Sequence, residues 1–346
     1  MDCGFFLAPM AELSHRALRE LIEGFGGCDE YYTEMISAGA LLSGGPFEGW
    51  YTDPLPRPEK LVYQLVGADR DQLVRAAALL DSRDCAGIDI NMGCSAPAIR
   101  RTGAGAAWMT DIDRAGDLAG GLRKAVKKRL SVKLRTGLAD DFDYLLRFCR
   151  RLADAGVELI TLHPRTIREK FRRSARWDHV ARLKRELGIP VAGNGDAATA
   201  GDLCRRAASG ACNAVMAGRG AVRQPWIFAE AQRMEAARRG AGQAGEDGRA
   251  EGAGEAAFPE PVNLEETALR FVELLALHQP PEFHASRARR FFAYYCDNLI
   301  WAHHVKTLLG RETELSGMAG VLTDYFRDHP EERLRGESAA KQPAPL

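Results

Sequence analysis

The sequence has no Cys-x-x-Cys pair, no long apolar run and no net charge. Its eight cysteines, Cys3, Cys28, Cys85, Cys94, Cys149, Cys204, Cys212 and Cys296, are scattered, which excludes a zinc knuckle or a disulfide framework and fits a reducing compartment. No stretch approaches the roughly 20 apolar residues of a membrane-spanning helix. Met1 to Met10 lacks the basic and apolar regions of a signal peptide. The expectation is a cytoplasmic, monomeric chain with no membrane attachment, no bound metal and no protein partner. Lys plus Arg equals Asp plus Glu at 47 each, so any affinity for nucleic acid has to come from local clusters rather than from a globally basic surface.

What is present is length and alternation. At 346 residues, 46% apolar and 27% charged, the chain can bury a barrel of roughly 250 residues and carry a second domain. Short apolar runs lie at Phe5–Ala8, Tyr31–Thr33, Leu61–Val66, Gly87–Asn91, Ser131–Arg135, Leu159–His163, Pro190–Gly193 and Ala214–Ala217. Between them fall helical patterns such as Arg70–Leu80, Ile112–Lys127, Tyr144–Ala155, His179–Leu187 and Ala198–Ala208. This alternation marks βαβ units in a parallel sheet, and the count predicts an α/β fold, a (β/α)8 TIM barrel, over residues 1–235. Gly156 and Gly188 stand where left-handed helix caps are expected. The Gly- and Pro-rich stretch Ser37–Pro58 reads as a long rim loop. Residues 236–261, poor in large apolar side chains, read as a low-complexity linker or insertion. Helical periodicity returns at Leu264–Leu277, Ala285–Trp301 and Met318–Phe326, predicting a small C-terminal helical domain over 262–335 and a frayed tail at 336–346. Phe291, Phe292, Tyr295 and Leu299 share one helical face, with Arg289 and Arg290 pointing away.

In such a barrel the reactive groups lie at the carboxyl ends of the strands. Here the runs end in Glu34, Gln64, Asn91 to Cys94, Lys133 with Arg135, His163 to Thr166, Asn194 to Asp196 and Gly218 to Gly220. The two small-residue loops after the seventh and eighth runs predict a phosphate-bearing cofactor. Lys133, inside an apolar strand, needs an anionic or strongly accepting partner. A reduced flavin, with negative charge at N1 and the C2 carbonyl, is one such partner; a neighbouring carboxylate is the other. His163 is expected to contact the phosphate. A cysteine thiol keeps its proton near neutrality unless its surroundings intervene, so Cys94 can serve as a general acid. The other seven cysteines read as small buried hydrophobes.

Seven motifs, in order from Leu7 to Phe228, resemble the tRNA-dihydrouridine synthases: Leu7-Ala-Pro-Met-Ala, Asp89-Ile-Asn-Met-Gly-Cys, Gly103-Ala-Gly-Ala-Ala, Val132-Lys-Leu-Arg-Thr-Gly, Leu162-His-Pro-Arg-Thr, Gly193-Asn-Gly-Asp, and Gly218-Arg-Gly-Ala followed by Gln-Pro-Trp-Ile-Phe. The resemblance implies an FMN-containing barrel, reduced by NADPH, that passes a hydride to C6 of a uridine in tRNA while Cys94 protonates C5. It implies that Ala8, Pro9 and Met10 back the flavin, that Gln64 and Lys133 hold its pyrimidine-like ring, and that His163, Asn194, Gly195, Asp196, Gly218 and Arg219 surround its phosphate. Asn91 is expected to orient the uracil or the thiol, after the base has left its stack. The helical domain is expected to bind RNA through Arg287, Arg289, Arg290 and Lys306. A second basic cluster, Arg165, Arg168, Lys170, Arg172, Arg173 and Arg176, follows the sixth run on the same rim.

The chain departs from the family pattern where Ser95 replaces the proline usual after the cysteine, with Arg100 and Arg101 expected to supply the charge of a lysine beyond it. Pro164 and Glu169 stand where glycine and glutamine are common. Two other readings are open: a flavin barrel acting on a free pyrimidine, which needs no helical domain, and an RNA-binding barrel without chemistry, which would be colourless.

Overall fold

The computed structural model describes residues 3–243 and 261–335. Eight parallel strands form the barrel: β1 Gly4–Leu7, β2 Glu30–Tyr32, β3 Leu61–Val66, β4 Gly87–Met92, β5 Arg129–Arg135, β6 Leu159–His163, β7 Val191–Asn194 and β8 Ala214–Ala217. Each pairs with the next, β8 pairs with β1, and Tyr31 opposite Leu61 joins β2 to β3, so no edge is left open. After Tyr32 the chain breaks from the ladder and returns to the same neighbour at Ile36–Ser37, which leaves Glu34 in the gap.

Strand side chains alternate between two faces, and the two faces differ in chemistry. Leu65, Ile90, Val132, Leu162 and Val215 point outward into one core with the helices, whereas Phe6, Ala8, Val62, Leu159, Ala192 and Met216 point into the barrel. The inward row continues upward as Gln64, Asp89, Asn91, Ser131, Lys133, Thr161 and His163. Register stacks these residues in layers: Gln64, Asp89 and Ser131 lie side by side, then Asn91, Lys133 and Thr161, then Arg135 and His163.

The outer helices are α1 Arg16–Gly24, α2 Arg70–Asp81, α3 Ile112–Ala125, α4 Phe142–Asp154, α5 Trp177–Glu186, α6 Ala200–Ala208 and α7 Ile227–Gln243. Asp69, Asp111 and Asp141 each accept a backbone N–H as N-caps, and Thr199 with Asp202 forms a capping box. Gly156 takes the left-handed conformation after α4, as expected. Gly188 does not, because α5 runs straight into extended backbone at Leu187. The rim stretch after Ser37 holds two short helices, Ala38–Ser43 and Glu48–Tyr51. Helix α7 continues to Gln243, so the linker expected from 236 begins as helix; its remainder to 260, and the tail expected at 336–346, lie outside the described residues.

Beyond the barrel stand α8 Leu264–His278, α9 Pro281–Tyr295, α10 Ala302–Arg311 and α11 Leu315–Asp328. Helix α9 starts four residues before the expected Ala285, because Pro281 occupies the first helical position where its missing N–H costs nothing. Phe271 of α8 stacks on Phe291, which stacks on Tyr295. The helices dock on the barrel through α1 against α8 and through buried charge. Arg287, expected to reach RNA, is instead 2% exposed: it lies 2.9 Å from the Glu34 carboxylate and donates to Gln279. Burial pushes the Glu34 carboxyl up, and Arg287 pulls it back down. Glu34 also accepts the Glu12 N–H at 2.5 Å and so ties the loop after β1 to the same pair. Arg287→Ala would strand that carboxylate, and a loss of about 3–5 kcal/mol is expected. Denaturant unfolding checks it, and an unchanged midpoint would contradict the pairing.

Candidate active site

The carboxyl ends of β3 to β8 bring together most of the residues singled out in the sequence. Gln64 on β3 accepts from Asn91 Nδ2 at 2.9 Å. The Asn91 side-chain oxygen in turn accepts the backbone N–H groups of Gly93 and Cys94, at 3.1 and 2.8 Å. Cys94 is therefore the first thiol-bearing turn beyond β4, pinned by a side chain of that strand. Gly105, at φ +59°, leaves room for this turn: a Cβ there would lie 2.9 Å from the Cys94 carbonyl oxygen. Arg100 and Arg101 follow on the short helix Pro97–Arg101, both exposed.

Lys133 stands beside Asn91 in register and influences Cys94 electrostatically, as does Arg135. No hydrogen bond or ion pair to another described residue reaches its ammonium, so the alternative of a neighbouring carboxylate partner in contact does not hold. Burial, then Arg135, brings the Lys133 ammonium down to about 8.

A cationic corner faces it across β6 to β8. His163 is 7% exposed, and burial together with Lys133, Arg135, Arg165 and Arg219 keeps its ring well below the usual imidazole range. Arg165 Nη1 lies 3.0 Å from His163 Nε2. Arginine only donates, so Nε2 is the acceptor and Nδ1 carries the proton, free for a ligand. Arg165 was expected on the RNA rim, yet it is 3% exposed and bonded to the Asp196 carboxylate at 2.5 Å. The chain turns tightly after His163, the Arg165 N–H bonding back to the His163 carbonyl at 2.7 Å, and the turn brings the guanidinium against the His163 ring.

Asp196, expected to contact the cofactor, has its carboxylate engaged by Arg165 and by the Ala175 N–H at 2.6 Å. An anion would also repel a phosphate. It anchors the loop. Asn194 donates to the Met216 carbonyl at 2.8 Å, tying β7 to β8. Gly195 at φ +121° would place a Cβ 3.1 Å from the His163 ring, and one on Gly218 would lie 3.2 Å from Met10 Sδ and 3.5 Å from Ala8 Cβ. Both glycines thus keep cradles open that any other residue would fill, one beside His163 and one beside Ala8 and Met10 in the segment that follows β1. Arg219 opens a short helix and stacks 4.4 Å over Phe171, itself 54% exposed.

The loop from 165 to 176 divides in two. Arg168, Lys170, Arg172 and Arg173 are exposed, whereas Arg176 pairs with Glu169 and Asp140. The Arg176 hydrogen bonds hold the Glu169 carboxyl down at about 2, so this departure from the family glutamine acts as a loop clamp. On α9, Arg289 and Arg290 are exposed, and Arg289 donates to the Glu312 carbonyl at 2.5 Å; on α10, Lys306 pairs with Asp297. The sequence places Glu34 and Arg135 at strand ends without giving them a role, and it leaves out Asp89 and Ser131. Asp89 and Ser131 could have been found, since each lies two positions before a chosen residue on one strand face. A cavity of about 940 Å³ lined by Arg16, Glu20 and Thr267 lies away from the strand ends.

Fold and site together define a parallel β/α barrel whose mouth brings a thiol-bearing turn together with a cluster of cationic side chains. The family model described as dihydrouridine synthase matches residues 6–244. The chain belongs to the dihydrouridine synthase family. It is 34% identical over 233 residues to tRNA-dihydrouridine(16) synthase of Cupriavidus necator, covering 64% of this chain and 71% of that protein. It is 33% identical over 231 residues to a probable tRNA-dihydrouridine synthase of Aquifex aeolicus, covering 65% and 71%. It is 30% identical over 228 residues to a tRNA-dihydrouridine(47) synthase [NAD(P)(+)]-like protein of Xenopus tropicalis, covering 65% and 35%. Among solved structures, a 2-naphthoyl-CoA reductase in complex with 2-naphthoyl-CoA superposes with a TM-score of 0.50 at 10% identity, covering 66% of this chain and 50% of that one, a likeness of fold alone.

Proposed function

We propose that this enzyme reduces the 5,6 double bond of uridines in tRNA to 5,6-dihydrouridine, with FMN bound in the barrel mouth and NADPH as reductant. The observation that carries the reading is Lys133, a cation set among the barrel's inner residues that makes no hydrogen bond or ion pair with another described residue and feels the Asp89 carboxylate only through space, between the strand that leads to Cys94 and the His163 corner. The residues fit the cofactor. His163 Nδ1–H, Arg219 and the cradles at Gly195 and Gly218 suit a phosphate; Lys133 and Gln64 suit the accepting edge of the flavin ring; Ala8, Pro9 and Met10 offer a backing surface. When bound, FMN supplies the hydride that C6 of the uracil receives.

Cys94 holds the proton that C5 takes up. Lys133 lies opposite Asn91 on the neighbouring strand, with Arg135 two residues beyond it toward the barrel mouth. Asn91 fixes the turn that carries the thiol and keeps one amide N–H for the base. Arg100 and Arg101 beside Cys94, the exposed arginines after β6, and Arg289 and Arg290 on α9 are the phosphate contacts of this reading, with residues 262–335 acting as an RNA-binding domain. The free, unpaired cysteines of the described residues suit a reducing cytoplasm. Disrupting the gene and mapping dihydrouridine across cellular RNA tests the proposal; if every site persists, it is wrong.

Lys133 also gives a pH prediction. Its folded value of about 8 lies below that of an exposed lysine, so the fold is disfavoured by the charged form and relieved as pH rises through 8. Binding of an anionic cofactor has the opposite dependence. The affinity of flavin-free protein for FMN is expected to fall above pH 8, and Lys133→Met should remove that dependence. Titrations followed by flavin fluorescence check this, and identical pH profiles for the two proteins would contradict it.

A further inference from the structure

Asp89 is not itself assigned to substrate or cofactor, yet the hydrogen bonds that orient Gln64 and Asn91, which are, end on it. It is fully buried on β4, one layer of side chains below Asn91. One carboxylate oxygen accepts from Gln64 Nε2 at 2.7 Å and the other from Ser131 Oγ at 2.6 Å. From Gln64 the chain continues through Gln64 Oε1 to Asn91 Nδ2, and from Asn91 Oδ1 to the Cys94 N–H.

Primary amides have a donor end and an acceptor end, and either way round fits the same space. Here both termini of the relay remove that freedom. At the top, two backbone N–H groups demand the Asn91 oxygen. At the bottom, a carboxylate that only accepts demands the Gln64 nitrogen. The two demands agree, so Gln64 and Asn91 are each locked in one orientation with one uncommitted N–H apiece. Both spare groups are donors, matched to the carbonyl edges of a flavin and a uracil.

We infer that Asp89 is the positioning residue of this site, setting through Gln64 and Asn91 the orientation of the turn that carries Cys94 and the donor character of both amides. The inference rests on the reading of Cys94 as the proton donor, but its test does not depend on that chemistry. Asp89→Leu keeps the branched shape, with bulkier ends, and removes the acceptor; Asp89→Asn keeps an acceptor toward Gln64 and places a donor toward Ser131. Loss of a hydrogen bond to a charged group is worth about 10- to 100-fold.

The experiment follows alkylation of Cys94 by iodoacetamide in the native holoenzyme, read by peptide mass spectrometry, alongside kcat and KM for tRNA. Asp89→Leu is expected to change the Cys94 alkylation rate and lower kcat by about 10- to 100-fold with KM little altered, and Asp89→Asn to restore both. A second comparison stands if Asp89→Leu fails to fold. Gln64→Glu alone sets two carboxylates against each other. The pair Asp89→Asn with Gln64→Glu exchanges amide and carboxylate, so position 89 donates to position 64, which still accepts from Asn91.

Cys94 alkylation should return to the wild-type rate in that pair. FMN affinity should stay low, since position 64 no longer has an N–H. Equal Cys94 reactivity in Gln64→Glu and the exchanged pair, or in wild type and Asp89→Leu, overturns the inference. Normal recovery of Cys94 reactivity in a protein that makes no dihydrouridine would leave the relay standing and sink the functional reading instead.

Discussion

Cys94→Ala protein purifies yellow, oxidises NADPH at the wild-type rate, and forms dihydrouridine about 10²–10⁴-fold more slowly, the range a positioned general acid contributes. The separation follows from where Cys94 sits. It is joined to the barrel through its backbone N–H on Asn91 and its carbonyl on Ala106, so truncating the side chain leaves the turn anchored. None of the groups in the cationic corner depends on the thiol for a hydrogen bond. The measurements are the flavin spectrum, the rate of NADPH consumption without RNA, and product by nucleoside mass spectrometry. Dihydrouridine at the wild-type rate would remove Cys94 from the acid role.

Lys133→Met has the second large effect. The methionine fills nearly the same space in the inward row of β5 but carries no charge, and no ion pair is broken by the change. What is lost is a preorganised cation among buried groups, worth about 10²–10³ in rate where negative charge develops. The loss should appear in reduction of the bound flavin by NADPH, before RNA is involved, which distinguishes it from Cys94→Ala. Stopped-flow absorbance on the two variants separates them. Equal flavin reduction in wild type and Lys133→Met would show that the ammonium faces something other than the flavin ring.

Much of the barrel was legible because its two faces use different alphabets. Lys133, His163, Asn91 and Gln64 interrupt apolar strands at alternate positions, and a polar side chain there has nowhere to point but inward. Where the reading failed, a local period had been overridden by a partner far away in sequence. Arg287 is four and eight residues before Phe291 and Tyr295, which places it on the buried face of α9, but its basic character read as surface until Glu34, from the gap after β2, was seen to neutralise it. Arg165 is turned back against His163 by the tight turn that follows β6, which the run of basic residues gave no sign of. The helix at Ala302–Arg311 escaped notice because the exposed Ile300 and Trp301 blur the pattern at its start. The hydrogen-bond directions from Asp89 to Cys94 were beyond sequence, since they require knowing which strands are neighbours.

On the proposed reading this barrel reduces uridine in RNA, with Cys94 giving the proton and Lys133 held toward the flavin ring. The most direct test is to incubate the purified yellow protein with NADPH and unmodified tRNA transcripts, then digest and weigh the nucleosides. The account expects some uridine to gain a pair of hydrogens, with NADPH consumed in equal amount and product from Cys94→Ala formed about 10²–10⁴-fold more slowly. Rapid NADPH oxidation with every uridine unchanged, or equal reduction of free uridine by protein lacking residues 262–335, would contradict it.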